Sequence, residues 1–539
     1  MPTASSIGTV VSFMDIGTNS IRLLIVRISP NHSYVTLTQQ KETIRLGENE
    51  FVDYYLQPGA MERAVLVCTK FADLSRAYGA NEIIAVATSA VRDAKNQKDF
   101  LRRLHDAAGI HLHVISGREE ARLIYLGISR AVHLGDQRAV FIDIGGGSTE
   151  VSVGDQKQYH FLGSLNLGAV RLTTLFFLPD ESGPIASERY ALLQRYIRNA
   201  SVRTLQQVQK YPFDLAFGSS GTVENLMDIA ARVLHSRVRQ RDDTLTHADL
   251  KRVIEMLCAA DLEERRRIPG INPERADIII AGAAILDTLM QDLKIKQVRV
   301  LSDHGLREGL LVDYLSRSEH AKFFSEFSVR ERSVLQLGRA CGFDETHARH
   351  VASLALELFD SAKKVGAHTL GEQERELLEY AALLHDIGAF LSYDNHHLHT
   401  HYLIRHAELL GFDQAEIIQL ALIALFHRKG KPSKKYEDYA ALDKPTRKRV
   451  RLLSAFLRVA EGLDRSHTGV ITRARLRAKD KKTLRLDVQA QGDCQLELWG
   501  VADRLKTLEK VLQRAIKIKV SAPSSVSTTM LQEALTTCA

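Results

Sequence analysis

The chain has 539 residues, 45% of them apolar and 25% charged. At roughly 100–200 residues per domain this is about three or four domains, each able to bury a core, and disorder of the whole chain is excluded. Lys and Arg number 72 against 65 Asp and Glu, a net charge of +7 that is modest for the length. Aromatic residues are 6% with one Trp, so the cores rest on Leu, Ile, Val and Ala. Cys68, Cys258, Cys341, Cys494 and Cys538 lie far apart with no Cys-x-x-Cys pair, which argues against a disulfide framework and against a metal finger. The N-terminal MPTASSIGTVVSFMD has no basic region before its short apolar run, and Asp15 interrupts that run. Neither a signal peptide nor a membrane span is expected, and a reducing, cytoplasmic setting is.

In chain order, β-rich runs predict strands over 10–14, 21–28 and 34–38. A helix follows over 59–78, with Ala64, Val67, Cys68, Phe71 and Leu74 on one face. Then come a strand over 83–87, a helix over 98–108, a strand over 112–115 and a helix over 119–132. A second set opens with strands over 139–142, 149–153 and 159–165. It continues with a helix over 187–210, a strand over 214–217, helices over 247–262 and 273–293, and a strand over 298–301. The pattern is two three-stranded α/β units in tandem with a cleft between them. From about residue 316 helix periodicity replaces the strand signals, to about residue 464. Over 471–520 the alternating runs TLRLDVQ and QLELWG and a helix over 502–515 predict a small α+β domain. The tail SAPSSVSTT reads as a loop, with a short frayed helix over 531–535.

The two sets begin with a repeat. FMDIGTNSIRLLIV from Phe13 aligns without a gap to FIDIGGGSTEVSVG from Phe141, placing Asp15 on Asp143, Gly17 on Gly145 and Ser20 on Ser148. Both glycine turns sit between strands, whereas dinucleotide-binding and P-loop motifs require a helix after the glycines. A hairpin tip of this kind offers backbone N–H groups beside Ser and Thr hydroxyls, a nest for phosphate oxygens. Glycine suits it by allowing positive φ and close approach. One such turn alone is a tight hairpin; two aligned copies, each preceded by Asp at a strand end, point to phosphate. At Ser116-Gly-Arg-Glu119 a capping box opens a helix, with Ser116 as cap and Glu119 reaching back, which leaves Glu120 free in the first turn.

The pair DIGTNS and DIGGGST resembles the actin-like ATPase superfamily, and this version is similar to the exopolyphosphatase/guanosine-pentaphosphate phosphatase family. ATSAVR (87–92), ISGREEARLIYLG (115–127), LGAVRL (167–172), FGSSGT (217–222) and LSDHGLREG (301–309) agree with it. The resemblance implies tandem actin-like (ribonuclease H-like) α/β domains over 1–133 and 134–315. After them it implies an all-α HD-like domain over 316–468 and a small α+β domain with tail over 469–539. It implies a phosphoanhydride hydrolase working in the interdomain cleft, where a positioned water, a base and screening of oxygen charge are needed. Glu120 matches the family's catalytic glutamate; the alternative is a carboxylate that favours the helix dipole. Asp143 and Glu150 match positions associated with Mg²⁺ or Mn²⁺ and the phosphoryl site. Arg92 matches a phosphate-contacting arginine, whose planar fork suits phosphate. Asp15, Gly17, Thr18, Asn19, Ser20, Gly145, Gly146, Gly147, Ser148 and Thr149 line the phosphate path by the same resemblance. Gly218, Ser219, Ser220, Gly221 and Thr222 take the place of the superfamily's adenosine-side motif, which a phosphatase need not use for adenosine.

In the helical region His350, His385-Asp386 and Asp464 carry the order and spacing of an HD phosphohydrolase, a ligand set suited to Mn²⁺, Zn²⁺ or Fe. His396, His397, His399, His401, His406 and His427 cluster nearby in sequence and supply candidate ligands for a second divalent cation or contacts to phosphate. The alternative is an inherited scaffold whose His and Asp bond to one another without metal. The basic run from Arg428 to Arg451 and RARLRAKDKKTLR from Arg473 attract polyanions, or are solvated basic faces. The first of them fits a channel that guides a long polyanion toward the cleft.

The leading expectation is an exopolyphosphatase that removes terminal orthophosphate from inorganic polyphosphate, with Glu120 as base. The second is a guanosine-pentaphosphate (pppGpp) 5′-phosphatase using the same cleft. A nucleotide-responsive regulatory protein and an HD-domain phosphodiesterase are the alternatives from other classes. The partners expected are polyphosphate or pppGpp, with no specific nucleic acid and no membrane, and a homodimer is implied.

Overall fold

The computed structural model describes residues 8–521 except 179, 180, 242, 303, 318–326, 408, 429, 431 and 481. The tail with its expected helix over 531–535, Cys538, Asp303, and Lys429 and Lys431 of the basic run lie outside the described residues. The chain divides into two compact units, residues 1–329 and 330–539.

The first unit holds two sheets built on one plan. Strands β1 (Thr9–Ile16), β2 (Ser20–Ile28), β3 (Tyr34–Thr43), β4 (Glu82–Ala87) and β5 (Leu112–Val114) lie in the order β3-β2-β1-β4-β5. Strands β6 (Ala139–Ile144), β7 (Thr149–Gly154), β8 (Tyr159–Leu165), β9 (Leu215–Ser219), β10 (Thr244–Thr246) and β11 (Gln297–Val300) lie in the order β10-β11-β9-β6-β7-β8. Removing the edge strand β10 leaves the same topology twice. Each half opens on an antiparallel meander and then adds parallel strands beside its first strand, with helices as crossovers. The sheets are wider than the three-stranded units expected because those parallel strands join the meander instead of standing apart.

The central strands are apolar on both faces because both faces are covered. Met14, Ile16, Leu23 and Ile25 pack on Met61, Ala64, Cys68 and Phe71 of the Pro58–Ala77 helix and on Phe100 and Leu104 of the Gln97–Ala108 helix. On the other face Phe13 meets Tyr314 of the Leu306–Arg317 helix edge-on, ring centroids 5.9 Å apart. In the second sheet Ile142, Ile144, Val151 and Val153 join a core with Leu193 and Ile197 of Ser187–Val208 and with the Ile279–Asp292 helix. The helix expected over 273–293 is interrupted: a 3-10 turn at Pro273–Arg275 precedes Ile279–Asp292. A helix that the sequence reading did not include, Ser220–Ile229, follows β9 directly.

In the second unit, helices Glu345–Lys364, Glu372–Leu384, Gln414–Leu425 and Lys444–Gly462 bury Leu354, Leu358, Leu378, Leu384, Leu420, Leu453 and Phe456. A three-stranded sheet of β12 (Ile471–Ala478), β13 (Thr483–Ala490) and β14 (Ala515–Ser521) follows, in the order β12-β13-β14. Leu484, Leu486 and Val488 alternate into its core, as TLRLDVQ predicts. QLELWG is not a strand. It begins the Gln495–Leu512 helix, where Leu498, Val501, Leu505 and Leu508 repeat at helical spacing while Leu496 and Trp499 face outward. Six residues with two Leu two positions apart cannot distinguish the two periods. No helix among the described residues is long and apolar enough to cross a membrane.

Candidate active site

The repeat seen in the sequence is a repeat in space. In each copy the glycine turn closes a hairpin in the same register: Ile16 opposes Ile21 and Asp15 opposes Arg22, as Ile144 opposes Thr149 and Asp143 opposes Glu150. In each copy the first glycine N–H donates to the serine carbonyl, Gly17 to Ser20 at 3.1 Å and Gly145 to Ser148 at 2.9 Å. The two tips approach one another closely. A Cβ on Gly147 would stand 2.6 Å from both Thr18 Oγ1 and Ser89 Oγ, and one on Gly146 would stand 3.0 Å from Thr18 Cβ. Space therefore demands glycine there. Positive φ does not, because Gly17, Gly145, Gly146 and Gly147 are all outside that region. The left-handed residue of the site is Ser220, at φ 78, which opens the helix after β9 and donates its hydroxyl to the Ile144 carbonyl at 2.5 Å.

Between the tips lies an open cleft. Asp15, Gly17, Thr18, Asn19, Ser20, Glu120, Asp143, Gly145, Gly146, Gly147, Ser148, Ser220 and Gly221 line it, all of them sequence-predicted. Glu150 stands behind the lining, opposite Asp143, with Ser164 Oγ donating to its Oε1 at 2.7 Å. Arg92 reaches the site through Glu120: its Nη1 donates to Glu120 Oε2 at 2.8 Å and to the Ile115 carbonyl at 3.1 Å. So Glu120 is paired, not free. Ser116 caps the Gly117–Ser129 helix by accepting from the Glu119 N–H at 3.2 Å, but Glu119 does not reach back. Its carboxylate is clamped by Arg122 at 2.8 and 2.7 Å, a stronger, charge-assisted partner than the cap N–H. Three predicted phosphate contacts are used elsewhere. Thr149 donates to the Leu167 carbonyl at 2.5 Å, Thr222 is buried against Gly282, and Ser219 donates to Asp143 Oδ2.

The electrostatics follow from burial. Four carboxyls are gathered in and behind the cleft, Glu120 and Glu150 buried and Asp15 and Asp143 half-buried, and each is held above its ordinary pKa. Burial pushes Asp15 up to about 6 against the pull of Arg22 and Arg307. Burial pushes Glu120 up to about 7, with Arg92 pulling it back and Asp15 and Asp143 adding to the rise. Glu150 is raised well above the carboxylate range by burial, then by the charges of Glu120 and Asp143. Asp143 is raised by burial although the Ser219 hydroxyl favours its charged form. Asp15 Oδ1 is buried with no hydrogen-bond partner among the described residues. Crowded, acceptor-only oxygens of this kind fit a divalent cation, which takes oxygen ligands and relieves their repulsion.

Side chains beyond the predicted set complete the site: Arg22, Glu224, Arg275 and His304 also line the cleft. The repeat carried the signal for Arg22, since it takes in the first copy the place of Glu150 in the second. Arg171, from LGAVRL, is buried and ties the halves together: it donates to the Gly147 carbonyl at 2.7 Å, to Ser89 Oγ at 3.0 Å and to Asp93 Oδ2 at 2.5 Å. Its guanidinium lies 4.0 Å from the Phe51 ring centroid.

In the second unit the structure brings His385 and Asp386 together with His347, not with His350. His350 Nε2 lies 2.8 Å from the Ile471 carbonyl. The two histidines are one turn apart on the Glu345–Lys364 helix, and the fully buried side of that turn carries His347. Asp464 Oδ2 accepts from His347 Nδ1 at 2.7 Å. His396 and His427 stand beside Asp386, whereas His401 pairs with Asp438.

Two family models match the chain: the Ppx/GppA phosphatase family over residues 24–318 and Ppx/GppA phosphatase domain III over residues 329–503. Among solved structures, an exopolyphosphatase from Cytophaga hutchinsonii is 25% identical with a TM-score of 0.54, covering 58% of this chain and 99% of its own. An exopolyphosphatase-like protein is 26% identical with a TM-score of 0.51, covering 57% and 98%. The Aquifex aeolicus member of the Ppx/GppA family is 27% identical with a TM-score of 0.48, covering 58% and 99%.

Proposed function

Because this chain belongs to the Ppx/GppA phosphatase family, whose members hydrolyse phosphoanhydride bonds, we propose that it is an exopolyphosphatase. It removes terminal orthophosphate from inorganic polyphosphate in the cleft between the two glycine turns. The observation that carries this reading is the group of four carboxyls, Asp15, Glu120 and Asp143 lining the cleft and Glu150 behind it, set against the paired turns. The turns and the hydroxyls of Thr18, Ser20 and Ser148 hold the phosphate oxygens. Glu120 takes the proton of the attacking water; a carboxyl raised toward neutrality is suited to accept it. Arg92 holds Glu120 in place and keeps it ionised more than burial alone would allow. Asp143 and Glu150, with Asp15, would hold Mg²⁺ or Mn²⁺, which supplies charge neutralisation on the phosphoryl oxygens when bound.

Polyphosphate is favoured over pppGpp by the lining: among the described residues no Phe, Tyr or Trp lines the cleft, which leaves a guanine ring only the His304, Arg22 and Arg275 planes to stack on. The test is phosphate release from long polyphosphate, pppGpp, ATP and a phosphodiester. Release is expected to be fastest from polyphosphate and absent from the diester. Faster release from pppGpp would make the chain a pentaphosphate phosphatase, and release only from the diester would move the chemistry out of the cleft.

A further inference from the structure

Arg171 stands third in the Ala169–Phe176 helix, and that helix holds the second glycine turn from behind. The Ala169 N–H donates to the Gly145 carbonyl at 3.0 Å, and the N–H groups of Val170 and Arg171 donate to the Gly146 carbonyl at 2.8 and 3.0 Å. The next carbonyl, that of Gly147, accepts from the Arg171 side chain instead, Nε at 2.7 Å. All three carbonyls are thereby turned toward residues 169–171. Every peptide among the described residues is trans, and across a planar trans peptide the N–H points opposite to the C=O. The N–H groups of Gly146, Gly147 and Ser148 therefore face away from the helix, and these three residues line the cleft.

The far end of the same guanidinium faces the other half of the cleft. Nη2 donates to Ser89 Oγ at 3.0 Å and to Asp93 Oδ2 at 2.5 Å. Both acceptors belong to the short Ser89–Asp93 helix, which also carries Arg92. Arg92 thus stands between two acids: its Nη1 donates to Glu120 Oε2 at 2.8 Å, and its Nε lies 3.8 Å from Asp93 Oδ1. An acid at that distance with no cation of its own would draw Arg92 off Glu120. Arg171 is the cation that Asp93 has. Glu50, buried near Arg171 with neither oxygen hydrogen-bonded among the described residues, is pushed by burial up to about 8, so the ion pair of Arg171 is with Asp93. The Phe51 ring, 4.0 Å from the guanidinium, restrains it from a further side.

Resting on the reading of the cleft given above, with Glu120 as base, we propose that Arg171 is a positioning residue for phosphoanhydride hydrolysis that acts through two others. Its Nε sets the Gly147–Ser148 peptide so that the Ser148 N–H meets a phosphate oxygen. Its Nη2 occupies Asp93 so that Arg92 stays on Glu120. One buried side chain thereby sets the second turn and the base together, although it touches neither the substrate nor the reacting atoms. The two roles separate in the kinetics. A peptide N–H that holds phosphate both before and during the reaction contributes uniform binding, which is read in KM, whereas the placement of the base acts in the transition state and is read in kcat.

The test is steady-state phosphate release from polyphosphate by the full chain, wild type against Arg171→Met, Arg171→Lys and Arg171→Met/Asp93→Asn, with folding followed by hydrogen exchange. Arg171→Met should lower kcat roughly 10²-fold as the base loses its placement, and raise KM about tenfold as the turn peptide loses its donor. Lysine keeps a cation for Asp93 but has no planar fork to reach the Gly147 carbonyl at the same time. Arg171→Lys should therefore raise KM as much while changing kcat only a few-fold. In the double variant a neutral amide no longer competes for Arg92, so kcat should recover about tenfold while KM stays high. The proposal is overturned if folded Arg171→Met keeps wild-type kcat, or if Asp93→Asn leaves its loss of kcat unrelieved. Should Arg171→Met fail to fold, Arg171→Lys decides: equal losses in kcat and KM, or none in either, overturn the proposal. A wild type that leaves polyphosphate untouched and hydrolyses pppGpp overturns the substrate reading alone, and the same split is then measured on pppGpp.

Discussion

Replacing Glu120 with Gln should make the first unit more stable at alkaline pH while nearly abolishing turnover. The Glu120 side chain is 8% exposed, and its carboxyl is displaced from an ordinary 4.5 to about 7, by burial first and by neighbouring carboxylates after the opposing pull of Arg92. At about 1.4 kcal/mol per unit, holding it ionised in the folded chain costs on the order of 3 kcal/mol. Because the folded pKa is raised, this cost is absent below about pH 4.5 and complete above about pH 7. Gln has the shape of the protonated acid and its carbonyl still accepts from Arg92. The stability difference between variant and wild type should therefore be near zero at pH 4.5 and of order 3 kcal/mol at pH 8, in the absence of divalent ions.

The single Trp499 lies in the second unit and reports nothing about this site. The assay is thus hydrogen exchange of the Gly117–Ser129 helix against denaturant at the two pH values, alongside steady-state phosphate release. Turnover should fall by roughly 10²–10⁴-fold with substrate binding retained. A pH-independent stability difference would show that Glu120 ionises as an ordinary surface carboxyl. Near wild-type turnover in the folded variant would remove it from the chemistry.

Asp143→Asn should abolish Mg²⁺-dependent phosphate release while leaving the β6–β7 hairpin folded, as circular dichroism and phosphate release at saturating Mg²⁺ would show. Since the four cleft carboxyls are raised, Mg²⁺ must displace protons, so its affinity should rise from pH 5.5 to pH 8; calorimetry in two buffers of different ionisation enthalpy measures the protons released. Arg171→Met leaves the half-buried Asp93 and the Gly147 carbonyl without their shared donor and should destabilise the first unit by about 1–3 kcal/mol, read by the same exchange experiment. Lys434, Lys435 and Lys448 are exposed, whereas Arg449 is tied to Glu374 at 3.1 Å. Changing the three lysines to Gln should weaken binding of long polyphosphate and flatten its salt dependence, with short chains much less affected; equal losses at both lengths would point to folding instead.

The parts of the site legible in the sequence were those carried by contiguous residues. DIGTNS, DIGGGST and Ser116–Glu120 each specify a local shape, and the turns, the Ser116 cap and the strand-end aspartates form where those shapes place them. What was not legible depends on approach from a distance. Arg171 meets Ser89 and Asp93 across the cleft, and nothing in LGAVRL states which residues it will face. His347 and His350 differ by three positions on one amphipathic helix, and both fit the HD spacing; only the packing of that helix turns His347 inward. The Glu119 cap failed for a related reason. Local grammar offered it an N–H, and a neighbouring arginine offered it more.

The repeat holds a further consequence in the one position where its copies disagree in charge. Opposite the strand-end aspartate the first hairpin places Arg22 and the second places Glu150. The first pair is internally neutral, so its turn can accept phosphate oxygens without added charge. The second sets half-buried Asp143 beside buried Glu150 on adjacent strands with Glu120 nearby, and these like charges add to burial in raising the Glu150 carboxyl. Protonation relieves it at low pH, and a divalent cation would relieve it at neutral pH. Under the proposed function both turns would hold phosphate oxygens, while the second copy would give two of the three metal carboxylates and the first copy only Asp15. Exchanging them tests the division: Arg22→Glu should create a second set of crowded acids, weaken polyphosphate binding and add a Mg²⁺ site measurable by calorimetry. An unchanged ion stoichiometry in a folded Arg22→Glu variant would show that charge opposite the aspartate does not decide where the metal goes.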